Sequence, residues 1–476
     1  MSRILIAACL VLSYAAVTQA SEIHDAISSG DIDLVQRLIA ESPELLESMD
    51  NSNHTPFLWA ASEGQLEIAK YLLDAGADPD VQNYRGSTAL HLASYNGHID
   101  VVRYLLEIGA EIDAINSSGF TPLMHAAYMG QTDVGELLVE NGASLHVYDD
   151  HWSGAAVHWA CVKADTSFLI MLREHGADIE HPSPDDSSMP IFWAAYNGNQ
   201  AAMQYLIDAG ISANATEPSG ATPLHNSARR GDTACARILL ENGAEIEAMT
   251  DEEITPLVAA LNSESLEMVK FLVDRGANIN HIDGNGMNTA HFAAFWESPE
   301  ALSYLIKKGV AIDVVDSFGT TPLYRAIRNG REANVRLLVE SGARIDPASP
   351  DEDPVLSIAV KEGRNDVVQL LLDHGASVDV LDNTDRRTPL HWASLKGYLA
   401  IVEMLASHGA DPNVIDNSNH TPLYYAGRYG HRDVAEHLKS LGATSDDYVE
   451  NIGKSRELKI DFGDGEAAVW YLGHCG

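Results

Sequence analysis

Apolar positions along the chain fall into short helical stripes that restart on a fixed beat. In the stretch beginning at Thr88, Leu90 to Asn96 predicts a short helix stopped by Gly97. Ile99, Val102, Leu105 and Leu106 then trace the 3.6-residue stripe of a second helix, ended by Gly109. Glu111 to Ser118 is a β-like turn that reaches the next copy. The layout returns every 33 or 34 residues. Thr-Pro pairs mark it at Thr55-Pro56, Thr121-Pro122, Thr222-Pro223, Thr255-Pro256, Thr321-Pro322, Thr388-Pro389 and Thr421-Pro422. Thr88, Ala155, Met189, Asn288 and Pro354 keep the phase in degenerate copies. Proline suits a first helical turn because its missing N–H would be unpaired there anyway, and the threonine before it caps. Asp50 to Pro56 returns unchanged at Asp416 to Pro422. One such helix pair cannot bury its apolar face alone, so successive copies must stack.

Thr222-Pro223-Leu224-His225 and Thr388-Pro389-Leu390-His391-Trp392-Ala393 resemble the T-P-L-H-x-A signature of the ankyrin repeat, whose period is 33. The resemblance covers Ser21 to about Thr444 and implies an all-α solenoid of about 13 helix-turn-helix units with short β-turn hairpins. Residues 21–53 form a divergent N-terminal capping copy, and 54–444 hold the regular repeats. The family implies binding of other proteins through hairpin tips and inner helix ends. It names no partner.

His91, His158, His225, His291 and His391 share the fourth place of the motif. Stacked histidines raise a metal hypothesis, but helices about 8–10 Å apart are too far for two of them to share a zinc ion. The structural reading is that each imidazole bonds the adjoining turn and sets the register of neighbouring units. Cys161 and Cys235 lie two units apart, too far to bridge, and read as packed thiols. No H-E-x-x-H, C-x-x-C, G-x-S-x-G or G-x-x-x-x-G-K pattern occurs. The expectation is a chain without catalytic residues, cofactor or metal.

Composition enters through charge. Thirty Lys and Arg face 69 Asp and Glu, a formal net charge of −39. Such a polyanion is repelled by nucleic acid and anionic membranes. The two places before the mid-repeat glycine line the concave face of ankyrin arrays, and they run against this composition. Their basic members are Lys163, Arg229, Arg230, Arg328, Lys361, Lys396 and Arg428; only Glu63 and Glu362 are acidic. Tyr95, Tyr128, Tyr196, Phe295, Trp296 and Tyr429 supply aromatic rings. Tyr, Trp and Arg are the commonest interface anchors. The candidate partner-binding set is therefore Tyr95, Tyr128, Tyr196, Arg229, Arg230, Phe295, Trp296, Arg328, Lys396 and Arg428. The partner expected is a protein segment of acidic character, met by a monomer. A weaker alternative is a binder of cationic ligands through the acidic surface.

Both ends depart from the period. Arg3, the apolar run Ile4 to Leu12 and the small residues at Thr18-Gln19-Ala20 read as a secretory signal peptide over 1–20. This predicts a secreted or periplasmic protein with no membrane span after removal, or a membrane-tethered one if uncleaved. Residues 445–456 are a polar connector. In 457–476, Leu458, Ile460 and Phe462 alternate with polar residues, Gly463-Asp464-Gly465 turns, and Ala467 to Leu472 is apolar, as in a β-hairpin. With Leu472-Gly473-His474 this tail resembles the opening of a metallo-β-lactamase-fold domain, although that family's H-x-H-x-D-H motif is absent. The alternative function is thus the ankyrin portion of a truncated hydrolase.

Overall fold

The computed structural model describes residues 22–50, 52–163, 166–185, 187–347, 354–444, 458–461 and 467–470. The stretch 1–20 read as a signal peptide, the stretch 445–456 read as a connector, and Cys475 lie outside them. Two compact units, Met1–Asp251 and Glu252–Gly476, make up the chain, although the sequence period runs through their boundary without a break.

In the first unit, helices over 22–29 and Ile32–Glu41 and a short 3-10 turn, Pro43–Glu47, precede a run of helix pairs. Those pairs are Pro56–Ser62 with Leu66–Asp74, Ala89–Asn96 with Ile99–Glu107, Pro122–Met129 with Thr132–Glu140, Ala156–Ala160 with Ser167–Glu174, Pro190–Asn197 with Gln200–Asp208, and Pro223–Arg230 with Thr233–Glu241. The second unit continues the style from Pro256–Asn262 with Leu266–Val273 to Pro422–Tyr429 with Arg432–Ser440. Beyond it, Leu458–Asp461 pairs antiparallel with Ala467–Trp470, with Leu458 opposite Trp470. The two strands form the hairpin that alternation predicted.

Local chemistry accounts for each pair. Thr121 Oγ1 accepts the Met124 N–H at 3.2 Å, and Pro122 opens the first turn. Gly97 ends its helix at φ 82°, and a Cβ there would also meet the Gln131 side chain at 2.4 Å. The left-handed φ is what favours glycine, since the Gln131 side chain can move aside. The motif leucines Leu90, Leu123, Leu224, Leu323 and Leu390 are buried, and the alanines Ala93, Ala126 and Ala393 let neighbouring helices approach over them.

The motif histidines tie one repeat to the next. Each Nδ1 accepts the N–H of its own helix cap, as from Thr88 to His91 at 3.2 Å, Thr222 to His225 at 3.1 Å and Thr388 to His391 at 3.1 Å. On the other side of the ring Nε2–H donates to a carbonyl in the following hairpin: His91 to Phe120 at 2.9 Å, His158 to Ser188 at 3.2 Å, His291 to Thr320 at 3.1 Å and His391 to His420 at 3.0 Å. An acceptor at Nδ1 and a donor at Nε2 require the neutral Nε2–H tautomer. Burial pushes His91, His291 and His391 below the ordinary imidazole value. His125 is pushed to about 3, by burial first and by His91 and Arg85 nearby. Cys161 and Cys235 are buried free thiols, and burial raises both.

These shifts set a pH dependence. A histidine depressed in the folded state gives stability that is complete above its unfolded value near 6.5 and declines as pH falls. Asp316, Asp382 and Asp416 are held below 3.8 and stay charged through this range. Between pH 7 and 5 each depressed histidine therefore costs up to about 1.4 kcal/mol per pH unit below 6.5. Thermal melts should shift downward over that window, and His391→Ala should flatten the dependence while lowering the pH 7 midpoint.

Candidate protein-binding groove

The places before the mid-repeat glycine do collect at the ends of the first helices. Tyr95 and Tyr128 are half-buried, and their rings stack 6.4 Å apart at 24°. Tyr196 is 64% exposed and Phe295 46%. Arg229 and Arg230 are exposed; Arg229 donates to Asn226 Oδ1 and Arg230 to the Tyr196 carbonyl, each at 3.0 Å. Arg328 and Arg428 are exposed and donate to the Tyr324 and Tyr424 hydroxyls at 3.1 and 2.9 Å; Lys396 is exposed too.

Trp296 is the exception. It is 4% exposed, and its indole N–H donates to the Leu261 carbonyl at 2.8 Å. Its repeat has Glu297, followed by Ser298-Pro299, where most others have the mid-repeat glycine, and the first helix, Thr289–Ala293, ends early. The chain then bends, turning this ring into the core. Trp296 is a packing residue, not an exposed anchor.

A second row, at the fifth place of the motif, escaped the sequence reading. Trp59, His125, Trp159, Trp193, Trp392 and Tyr425 occupy it. In the first unit these rings join residues from hairpins and helix ends into a continuous aromatic wall. Phe120 lies 5.2 Å from His125 and 4.7 Å from Trp159, which lies 4.9 Å from Trp193 and 5.7 Å from Tyr128. Two cavities open along it. One, of about 440 Å³, is lined by Tyr128, Trp152, Trp159, Trp193, Tyr196 and Glu217 among others. The other, of about 450 Å³, is bounded by His54, Tyr84, Tyr95, Phe120 and His125. The signal was available, because the fifth, eighth and ninth places share one helical face.

Comparison with known proteins decides the family. The family model for ankyrin repeats (three copies) matches in overlapping segments from residue 23 to 351 and again over 356–447. The chain belongs to the ankyrin-repeat family. Human inversin is 27% identical over 222 residues, which is 45% of this chain and 21% of inversin. The chain thus spans about a fifth of the length of that curated relative. Among solved structures, the ankyrin repeat domain of Bcl-3 is 30% identical with a TM-score of 0.42, covering 46% of this chain and 99% of that one. The human ASB11 ankyrin repeat domain gives 24% and 0.41, covering 47% and 99%.

The two units of this ankyrin array treat groove charge differently. In the second unit, Arg325 donates to Asp316 Oδ2 at 2.6 and 3.0 Å. Lys361 lies 3.6 Å from Asp382 and 4.4 Å from the Trp392 ring centre. Arg387 reaches Asp416 at 3.4 Å and sits over Trp392 and Tyr425. These carboxylates close the hairpin bases by accepting backbone N–H groups. Burial alone would raise them, but hydroxyl donors (Thr320 to Asp316, Tyr425 to Asp416), backbone and indole N–H donors and the cations outweigh it and hold all three below the ordinary carboxylate value. Part of the basic charge read from sequence is therefore neutralised inside the protein. Among the described residues, no group of three or more His, Cys, Asp and Glu could hold a metal ion, and no helix is long and apolar enough to cross a membrane.

Burial separates the groove residues by role. Trp296→Ala should cost about 3–5 kcal/mol, as large buried rings do. Tyr196→Ala and Phe295→Ala should stay within about 0.5 kcal/mol of the parent. Urea denaturation of the three variants measures this; equal destabilisation would contradict the assignment.

Proposed function

We propose that this chain is an exported scaffold that captures a protein segment along its groove. One observation carries the reading: Tyr128, Trp152, Trp159, Trp193 and Tyr196 line a cavity of about 440 Å³ in the first unit, and the exposed Arg229 and Arg230 stand close by, bonded to Asn226 and to the Tyr196 carbonyl. Rigid rings contribute apolar contact at small entropic cost, and arginines orient carboxylates. In the first unit Tyr95, Tyr128 and Tyr196 would supply the contact, and Arg229 and Arg230 would select acidic stretches; the second unit offers Phe295, Arg328, Lys396 and Arg428 on a face of its own. The groove does this against a net charge of −39, which keeps the remaining surface from competing for the same partner. Export rests on residues 1–20 and binding as a monomer on the repeat architecture. Family membership supports a scaffold that acts by contact rather than by chemistry.

The test is capture of partner proteins by the immobilised full chain, with dissociation constants measured for whatever is retained. The combined Tyr196→Ala, Arg229→Ala and Arg230→Ala variant should weaken binding by about tenfold or more. The far-ultraviolet spectrum should be unchanged. Undiminished binding would overturn the groove assignment. Expression from the full reading frame should yield an exported chain beginning at Ser21, read by N-terminal sequencing.

A further inference from the structure

The groove contains its own internal control. In the second unit, Lys361, Asp382 and Trp392 form a closed set: the ammonium lies 3.6 Å from the carboxylate and 4.4 Å from the ring centre, and the indole N–H donates to Asp382 Oδ2 at 2.8 Å. Arg387 adds a second cation over the same ring, 5.0 Å from its centre. Seven repeats earlier the same carboxylate and indole recur as Asp149 and Trp159, joined at 3.1 Å. Asp149 is buried and likewise accepts the N–H groups of His151, Trp152 and Gly154. The cations do not recur. Tyr128 stands where Lys361 stands, and Gly154 where Arg387 stands.

These two replacements remove both internal cations. At Gly154 the Trp193 and Trp159 rings take the space of a side chain: a Cβ there would lie 2.7 Å from Trp193 and 3.0 Å from the Trp159 indole nitrogen. Trp159 and Trp193 meet edge to face at 77°, and both line the cavity of about 440 Å³, with Tyr128 and Trp152 as further walls and Glu217 in its lining. Among the described residues no Lys or Arg lies over Trp159 or Trp193, and none reaches Asp149 within ion-pair distance. Neighbouring cations are turned elsewhere. Lys163 sits over the Tyr128 ring at 5.2 Å, Arg229 bonds Asn226, and Arg230 bonds the Tyr196 carbonyl. Aromatic rings attract ammonium groups; Glu217 puts a carboxylate in the lining, and the buried Asp149 lies behind it, bonded to the Trp159 indole.

We propose that this cavity is a receptor for a lysine side chain of the partner protein, which completes in trans the set that Lys361 completes in cis. The proposal deepens the groove reading and rests on it. A partner segment would place its lysine among Trp152, Trp159 and Trp193, with flanking carboxylates toward Arg229 and Arg230.

The experiment uses the full chain with ¹⁵N-labelled tryptophan and a blocked glycine pentapeptide carrying one central lysine, compared with its norleucine counterpart. The indole resonances of Trp159 and Trp193, assigned by single Trp→Phe variants, should shift and saturate with the lysine peptide only. Tyr128→Lys restores the internal cation and should weaken the lysine peptide by about tenfold or more at an unchanged melting temperature. Asp149→Asn, which keeps an acceptor and removes the charge, should weaken it as well and serves if Tyr128→Lys folds poorly. Equal shifts from the norleucine peptide, or undiminished binding by both variants, would overturn the proposal. Arg229→Ala with Arg230→Ala should spare the lysine peptide while weakening partner capture. Partner capture that needs those arginines but tolerates Tyr128→Lys would leave the groove standing and remove the lysine receptor.

Discussion

A neutral imidazole bridging two repeats is the constraint on which this structure depends. Each helix pair is too small to bury its own apolar face, so its geometry is defined only against a neighbour. The histidine fixes that relation at a polar point. In His391, one ring nitrogen holds the Thr388 cap and the other reaches the His420 carbonyl in the next hairpin. A buried hydrogen bond with two fixed ends specifies register in a way that leucine packing does not. Removing the ring would leave a cap N–H and a hairpin carbonyl unpaired together.

Once register is fixed, side chains at one motif place come to lie beside their counterparts in adjacent repeats. This converts a sequence column into a surface. The fifth-place column becomes a wall of rings in the first unit, with Trp159 and Trp193 4.9 Å apart. In the second unit it becomes a series of cation-carboxylate pairs around Arg325, Lys361 and Arg387, the last two also lying over the Trp392 ring. The hairpin-base carboxylates have a structural duty in both units, because they cap the turn N–H groups. Whether their charge is balanced within the chain or left to a ligand depends on a few groove residues that stacking does not constrain. Function and fold therefore draw on the same carboxylates but on different neighbours.

Much of this was legible in the residues. The 33-residue period, the Thr-Pro helix starts and the glycine stops each reflect a backbone requirement that every repeat must meet. The fourth-place histidines could be assigned to structure because spacing excluded a shared metal. The exposure of Tyr196, Arg229 and Arg428 followed from their place in the repeat. Trp296 did not follow, because its repeat lacks the glycine that aims the helix end, and a local bend reverses the ring. The Trp159 and Trp193 wall was missed because one repeat read alone shows only a variable motif position. Pairs such as Arg387 with Asp416, 29 residues apart, depend on the stack itself. The division at residue 251 leaves no mark on the period.

The protonation pattern of the bridging histidines tests this account at its root. Long-range ¹H–¹⁵N correlation spectra of the imidazole rings at pH 7 report which nitrogen carries the proton. The account predicts that His91, His158 and His391 are neutral, with the proton on Nε2 and a bare Nδ1. Rings that are doubly protonated, or that carry the proton on Nδ1, would contradict it, because such an imidazole cannot accept the cap N–H while it joins its repeat to the next.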